Sequence, residues 1–425
     1  MSDREFGFET LCLHAGTQPD PATGSRATPI YQTASYVFDD TDHAASLFNL
    51  QTFGNIYTRL SNPTTAMFEE RMAALEGGRA AVATSTGMAA QMTALLTILK
   101  EGDEIVSAST LYGGTVSQFG VTFKKMGIGT VFVDPDEPDN FARAITDKTR
   151  VIYGETVGNP NNNVLDIEAV ANIANEHGIA FVIDNTFASP YLCKPIEYGA
   201  DIVLHSATKF ICGHGTSMGG ILVESGKFPW DNGNYPDMTD PSEGYHGVRF
   251  FETFGDFAFT MKARCETLRT LGPTLSPFNA FMMLQGLETL PIRMQRHVEN
   301  ASKVSEFLKQ HPRVTWVKYA GDPDNPYYPL SQKYLPLGGG SILTFGIEGG
   351  QKAGAKFIEH VSFLSHLANV GDAKTLVIHP ASTTHRQLNE AEQLKAGITA
   401  DMVRISVGIE SVDDIIWDID QALNA

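Results

Sequence analysis

The chain has 425 residues, 42% of them hydrophobic, and a formal net charge of -18. That length exceeds one ordinary domain, and two or three are expected. The acidic balance argues against a nucleic-acid partner, whose usual footprint is a basic stripe. No run reaches the ~18 apolar residues of a membrane-spanning helix. The N-terminal MSDREFGFET lacks the apolar centre of a signal peptide. Cys12, Cys193, Cys212 and Cys265 form no CxxC pair, and the histidines show no HExxH-like spacing. No metal site is therefore expected, and a reduced, cytoplasmic setting is the simplest context.

Residues 1–62 carry little regular patterning and read as an arm that packs on something else, such as another subunit. They end in Tyr57-Thr58-Arg59-Leu60-Ser61-Asn62-Pro63. Thr64 or Thr65 is expected to cap a helix to about Leu75, stopped by Gly77-Gly78. A strand over 80–83 then leads through Ser85, Thr86 and Gly87 into a helix from Ala89 to about Leu99. Such a turn can bind an anion, because the first N–H groups of a helix are free and its dipole favours negative charge.

The alternation continues. Strands are expected over 104–108, 130–133, 150–153, 180–183, 201–205 and 220–223. Helices are expected over 115–125, 140–145 and 167–177, the last capped by Asp166. The strands are apolar and do not alternate, which predicts a mostly parallel sheet covered on both faces. Residues 226–247 read as a long loop, and 277–310 as a long, partly interrupted helix. A smaller α+β lobe follows, with strands at 314–318, 341–347 and 402–407. A Pro-rich loop spans 322–337, and helices cover 351–362 and 413–423. The domain expectation is an arm over 1–62, a ligand-binding domain over 63–275 and a C-terminal domain over 276–425.

In parallel α/β sheets, ligands bind beyond the carboxyl ends of the strands. Ser85, Tyr112, Asn159, Asp184 and Lys209 all follow a strand directly. GxGxxG is missing after the first strand, and Gly226-Lys227 does not complete a P-loop, so nicotinamide and NTPase chemistry are not indicated. Lys209 alone is more commonly a lysine that reaches the surface where its strand ends. With Asp184 upstream it acquires a second meaning. A lysine that forms a Schiff base, with an aspartate partner for a pyridinium nitrogen, is the protein signature of pyridoxal 5'-phosphate (PLP). Gly87, Met88, Ser206 and Thr208 could supply the phosphate donors. Strand alternation sets Arg404 apart from Val403, Ile405 and Val407, where it could clamp a substrate carboxylate bidentately.

The motifs YTRLSNPT (57–64), DNTFASPY (184–191), DIVLHSATKFICGHG (201–215) and HPASTTH (379–385) resemble the Cys/Met-metabolism family of PLP enzymes over essentially the whole chain. The resemblance implies a type I, aminotransferase-like PLP-dependent transferase fold and a homotetramer of tight dimers. It implies Lys209 as the covalent anchor and main acid/base, Asp184 at the pyridine nitrogen, Tyr112 stacked on the ring and Asn159 beside the ring hydroxyl. Gly87, Met88, Ser206 and Thr208 would hold the phosphate. Tyr57 and Arg59 would reach it from the neighbouring subunit, with Tyr57 and Tyr112 assisting catalysis. Arg404, Asn159 and Asn369 would bind substrate. Gly114, Asn369, the GHGTSMGG run and the loop after Lys227 look like the sulfhydrylase branch, which implies an O-acyl-L-homoserine, such as O-acetyl-L-homoserine, and sulfide as substrates. A cystathionine synthase or a lyase on the same scaffold is the alternative. A non-catalytic α/β ligand-binding protein is the remote one.

Overall fold

The computed structural model describes residues 4–383, 386 and 397–425. Thr384 and His385 of the HPASTTH motif lie outside the described residues. Seven strands form the larger sheet: β1 (Ala80–Thr84), β2 (Glu104–Ala108), β3 (Gly129–Val133), β4 (Thr149–Glu155), β5 (Ala180–Asp184), β6 (Ile202–His205) and β7 (Gly220–Glu224). Their order is β1-β7-β6-β5-β4-β2-β3. The run from β6 to β3 is parallel, and β7 is antiparallel to both β1 and β6. Six carboxyl ends therefore share one edge. Ala180, Phe181, Val182 and Ile183 of β5 are all fully buried. Helices cover both faces of the sheet, so its strands read as continuous apolar runs.

The second sheet has the order β10-β11-β12-β9-β8, from β8 (Val314–Lys318), β9 (Ile342–Ile347), β10 (Ser365–His366), β11 (Leu376–Ile378) and β12 (Met402–Ser406). It has its own core, with Leu343, Phe345, Val403 and Ile405 packed against Ile415 and Ile419 of the helix Val412–Leu423. The helix Leu290–Gln310 joins the two cores. Leu290 and Met294 sit in the first, and Ala301, Val304 and Leu308 in the second.

The structure departs from expectation in several places. The arm contains two helices, α1 (Phe8–His14) and α2 (Thr41–Phe48). α1 inserts Cys12 into the main core, and the Asp40 side chain caps α2. The helix after the arm is α3 (Pro63–Glu76), and its cap is Asn62 rather than Thr64 or Thr65. The Thr64 hydroxyl instead donates to the Pro29 carbonyl at 2.8 Å, tying the arm to α3. A helix at Tyr328–Tyr334 interrupts the Pro-rich loop. Short helical turns fill residues 250–271, for which no element was expected. Most relevant to function, β4 runs past Tyr153 to Glu155.

The four cysteines are free and buried. Among the described residues, no helix is long and apolar enough to cross a membrane. Helix Pro277–Glu288 lies so close to the segment after Lys209 that a Cβ at Gly286 would stand 2.2 Å from the Ile211 carbonyl and 2.5 Å from that of Cys212. Gly286→Ala would ordinarily favour a helix. Here it is expected to destabilise the fold by about 1–3 kcal/mol through overpacking, which a lowered urea midpoint would register.

Candidate active site

The carboxyl edge of the larger sheet opens into a cavity of about 220 Å³. β6 ends at His205, and the chain then turns through Ser206, Ala207 and Thr208 to Lys209. The Lys209 carbonyl accepts the Gly213 N–H at 2.7 Å, closing that turn. The amine donates to Oδ1 of Asn369 in a short hydrogen bond. Burial, reinforced by the nearby Arg404 charge, lowers the Lys209 pKa to about 8. A substantial neutral fraction near neutral pH is what a nucleophilic amine needs.

Asp184 ends β5 and lines the cavity. Its carboxylate accepts the Thr186 N–H at 2.9 Å, and burial raises its pKa. Glu155 ends β4 directly opposite, paired in register with Asp184. It accepts the Tyr112 N–H at 2.7 Å. Burial, and then the proximity of Asp184, push its pKa well above the ordinary carboxylate range.

The small-residue turn after β1 leads into α4 (Gly87–Ile98). Thr86 caps it: its hydroxyl accepts the Ala89 N–H at 3.0 Å and its carbonyl accepts that of Ala90. The N–H groups of Gly87 and Met88, in the first turn, have no intrahelical acceptor. Gly87 lies against Ser206, where a Cβ would meet the Ser206 Cα at 2.8 Å. That close approach brings the helix N-terminus and the turn before Lys209 together. The Thr208 hydroxyl is hydrogen-bonded to the main chain of Gly219. Ser85 turns its N–H to the Pro273 carbonyl and does not line the cavity.

Arg404 comes from β12 of the second sheet. It donates to Oδ1 of Asn159 at 3.1 Å and approaches the Asn369 carbonyl at 3.5 Å. Burial lowers its pKa to about 10. Tyr112 stands at the mouth, half exposed. A Cβ at Gly114 would lie 2.4 Å from its ring, so only glycine leaves room for that ring position. Lys209, Asp184, Tyr112, Gly87, Met88, Ser206, Thr208, Asn159, Asn369 and Arg404 thus converge on one cavity. Tyr57 and Arg59 do not. Both are exposed on the arm, with the Arg59 guanidinium over the Tyr57 ring at 5.3 Å.

Residues 9–424 match the Cys/Met metabolism PLP-dependent enzyme family. The chain belongs to that family. It is 54% identical to an O-acetyl-L-homoserine sulfhydrylase of Leptospira meyeri, over 99% of this chain and 97% of the relative. It is 52% identical to a homocysteine synthase of Schizosaccharomyces pombe, over 98% of each. A solved Campylobacter jejuni structure, provisionally assigned as an O-acetylhomoserine (thiol)-lyase, superposes with a TM-score of 0.96 at 38% identity. That match covers 99% of this chain and all of the other, which carries N'-pyridoxyl-lysine-5'-monophosphate. The fold is thus the type I fold of PLP-dependent transferases, and PLP is the family's cofactor.

The residues present fit that cofactor. An amine of lowered pKa, a buried carboxylate and a helix N-terminus with unclaimed N–H groups line one cavity, matching an aldehyde, a ring nitrogen and a phosphate. Glu155 was not singled out from sequence. The available signal was its position four residues before Asn159, at the end of a strand.

In the cofactor-free protein, acylation of Lys209 by an amine-reactive reagent should rise with pH to a midpoint near 8. Ordinary lysines have their midpoint at about 10.4. Arg404→Met removes a charge that opposes protonation of the amine, so it should move the Lys209 midpoint upward. Peptide mass spectrometry across a pH series reads both.

Proposed function

We propose that this family member is an O-acetyl-L-homoserine sulfhydrylase. It replaces the acetate of O-acetyl-L-homoserine with sulfide, giving L-homocysteine and acetate in methionine biosynthesis. The observation that carries the reading is the distribution of cations in the cavity. Among the described lining residues the cationic side chains are Lys209 and Arg404. Arg404, braced by Asn159, suits the one carboxylate of an amino acid. The acetyl ester is the donor that the Leptospira relative's name gives. The names of the Leptospira and Schizosaccharomyces relatives support the same reaction.

When bound, PLP supplies an electron sink for the substrate's Cα and Cβ. The chain's residues do the rest. Arg404 and Asn159 hold the substrate carboxylate and so fix the direction of the Cα–H bond. Lys209 Nζ, partnered by Asn369, takes the Cα proton and later returns it. The Cγ–O bond breaks with departure of acetate, and a C–S bond forms at Cγ. Tyr112 at the mouth limits water and assists proton transfer. Asp184 carries the negative charge that pairs with the ring nitrogen. Gly87, Met88 and Ser206 receive the phosphate, aided by the helix dipole.

The arm supports a shared site. Val37 and Phe53 are 95% and 78% exposed, an apolar surface suited to a second copy of the chain. Tyr57 and Arg59 lie near them in sequence and outside their own chain's cavity, so they are suited to the phosphate in the neighbouring subunit's site. The proposal includes a homotetramer of such dimers, working in the cytoplasm.

With O-acetyl-L-homoserine as donor, sulfide should yield homocysteine as the main product, and cysteine should yield little cystathionine. Dominant cystathionine would contradict the assignment. Arg404→Met removes a charge-assisted pair worth about 1.5–3 kcal/mol, so kcat/KM should fall by about 10- to 100-fold. Steady-state kinetics on the acetyl ester measure it.

A further inference from the structure

Glu155 is a buried, cavity-lining acid that the mechanism above does not use. It is 8% exposed, and its side chain shares a sheet face with Asp184, because the two pair in register on adjacent parallel strands. Adjacent strands lie about 4.8 Å apart. Neither carboxylate forms an ion pair among the described residues. Each is instead held by main-chain N–H groups: Glu155 by that of Tyr112 at 2.7 Å and also by that of Asn159, and Asp184 by that of Thr186 at 2.9 Å.

The groups facing this pair are few. Tyr153 lies two residues back on β4, with its hydroxyl donating to Gln91 Oε1 at 2.9 Å. Tyr112 lies above. Lys209 and Arg404 line the same cavity, each hydrogen-bonded to asparagine and not to a carboxylate. Two carboxylates this close and this dry do not both ionise, and one keeps a proton. Asp184 is the better placed to stay charged, since the ring nitrogen of the cofactor would pair with it and His205 adds favourable potential. The proton then falls to Glu155.

We infer that Glu155 is a positioning residue that acts as a neutral carboxylic acid, anchoring Tyr112 through its N–H while leaving Asp184 as the single negative charge available to the cofactor's ring nitrogen. The arrangement separates two tasks that one carboxylate could not combine. An ionised Glu155 would compete with Asp184 for the ring proton. An apolar residue in its place would leave the Tyr112 N–H without an acceptor and free the loop that carries the ring. Gly114 completes the anchor from the other side, by leaving space for the Tyr112 ring.

The test compares Glu155→Gln, which keeps the acceptor oxygen and removes the ionisable proton, with Glu155→Ala. Three readouts are taken: PLP affinity from fluorescence titration of the cofactor-stripped protein, the pH midpoint of the bound cofactor's visible absorbance, and the infrared carboxyl region of the wild-type protein. The Gln variant should bind PLP within about twofold of wild type with an unmoved midpoint. The Ala variant should bind about tenfold more weakly, the loss of one hydrogen bond. The wild-type spectrum should contain a protonated-carboxyl band that the Gln variant lacks. A Gln variant that moves the midpoint by about one pH unit would mean that the charge of Glu155 is in use and would overturn the inference. So would the absence of the infrared band, or an Ala variant that binds PLP like wild type. The inference rests on the family's cofactor and not on the sulfur acceptor. Product analysis therefore fails or succeeds independently of it.

Discussion

The close approach of the second sheet to the main chain of Lys209 is the constraint on which the site depends. Gly371, in the loop between β10 and β11, lies where a Cβ would stand 2.7 Å from the Phe210 nitrogen and 3.1 Å from the Lys209 Cβ. Its own N–H donates to the Ser406 hydroxyl of β12 at 2.9 Å, and Ala373 N–H donates to the Gly213 carbonyl. Arg293, from the helix that spans both cores, grips the Phe210 carbonyl at 2.8 Å. The lysine is thereby locked between two sheets with separate hydrophobic cores. The same loop delivers Asn369 to the amine, and β12 delivers Arg404. The proposed cofactor anchor and the proposed carboxylate clamp, built on different sheets, keep their spacing only because this contact allows no slack.

The cavity's electrostatics follow from that geometry. Lys209 and Arg404 are partly desolvated and mutually repulsive, and both pKa values fall. Asp184 and Glu155 are desolvated too, and theirs rise. Burial thus drives all four groups toward neutrality, which leaves the site prepared to accept the charges of a phosphate, a ring nitrogen and an amino acid. Behind it, Glu76 and His205 form a fully buried pair, and Asn185 Nδ2 also donates to the same glutamate oxygen at 3.1 Å. That network joins α3 to the ends of β5 and β6 and holds the edge from which Asp184 and Lys209 project.

Much of this was legible in the sequence. Apolar strands ending in Asp184 and at the turn to Lys209 have to be covered on both faces, so the parallel sheet and its active edge followed from patterning alone. Arg404 was separated from its neighbours by simple alternation. Other features were not legible, for physical reasons. Asn62 caps α3 because Thr64 is engaged by the Pro29 carbonyl, a tertiary contact that local propensity cannot report. Glu155 hides in a strand whose last two residues look like the start of a loop. Its meaning comes from register with Asp184, 29 positions away. Gly114 was singled out only as a mark of the sulfhydrylase branch, and its steric role, the space that the Tyr112 ring occupies, comes from the fold. The arm was silent because its α1 packs against elements distant in sequence.

The central claim is that Lys209 alone bears the cofactor. Borohydride reduction of the purified protein, followed by proteolysis and peptide mass spectrometry, tests it directly. The account requires the pyridoxyl mass on the peptide containing Lys209 and on no other lysine. Label on a different lysine, or a protein with no reducible chromophore, would contradict it.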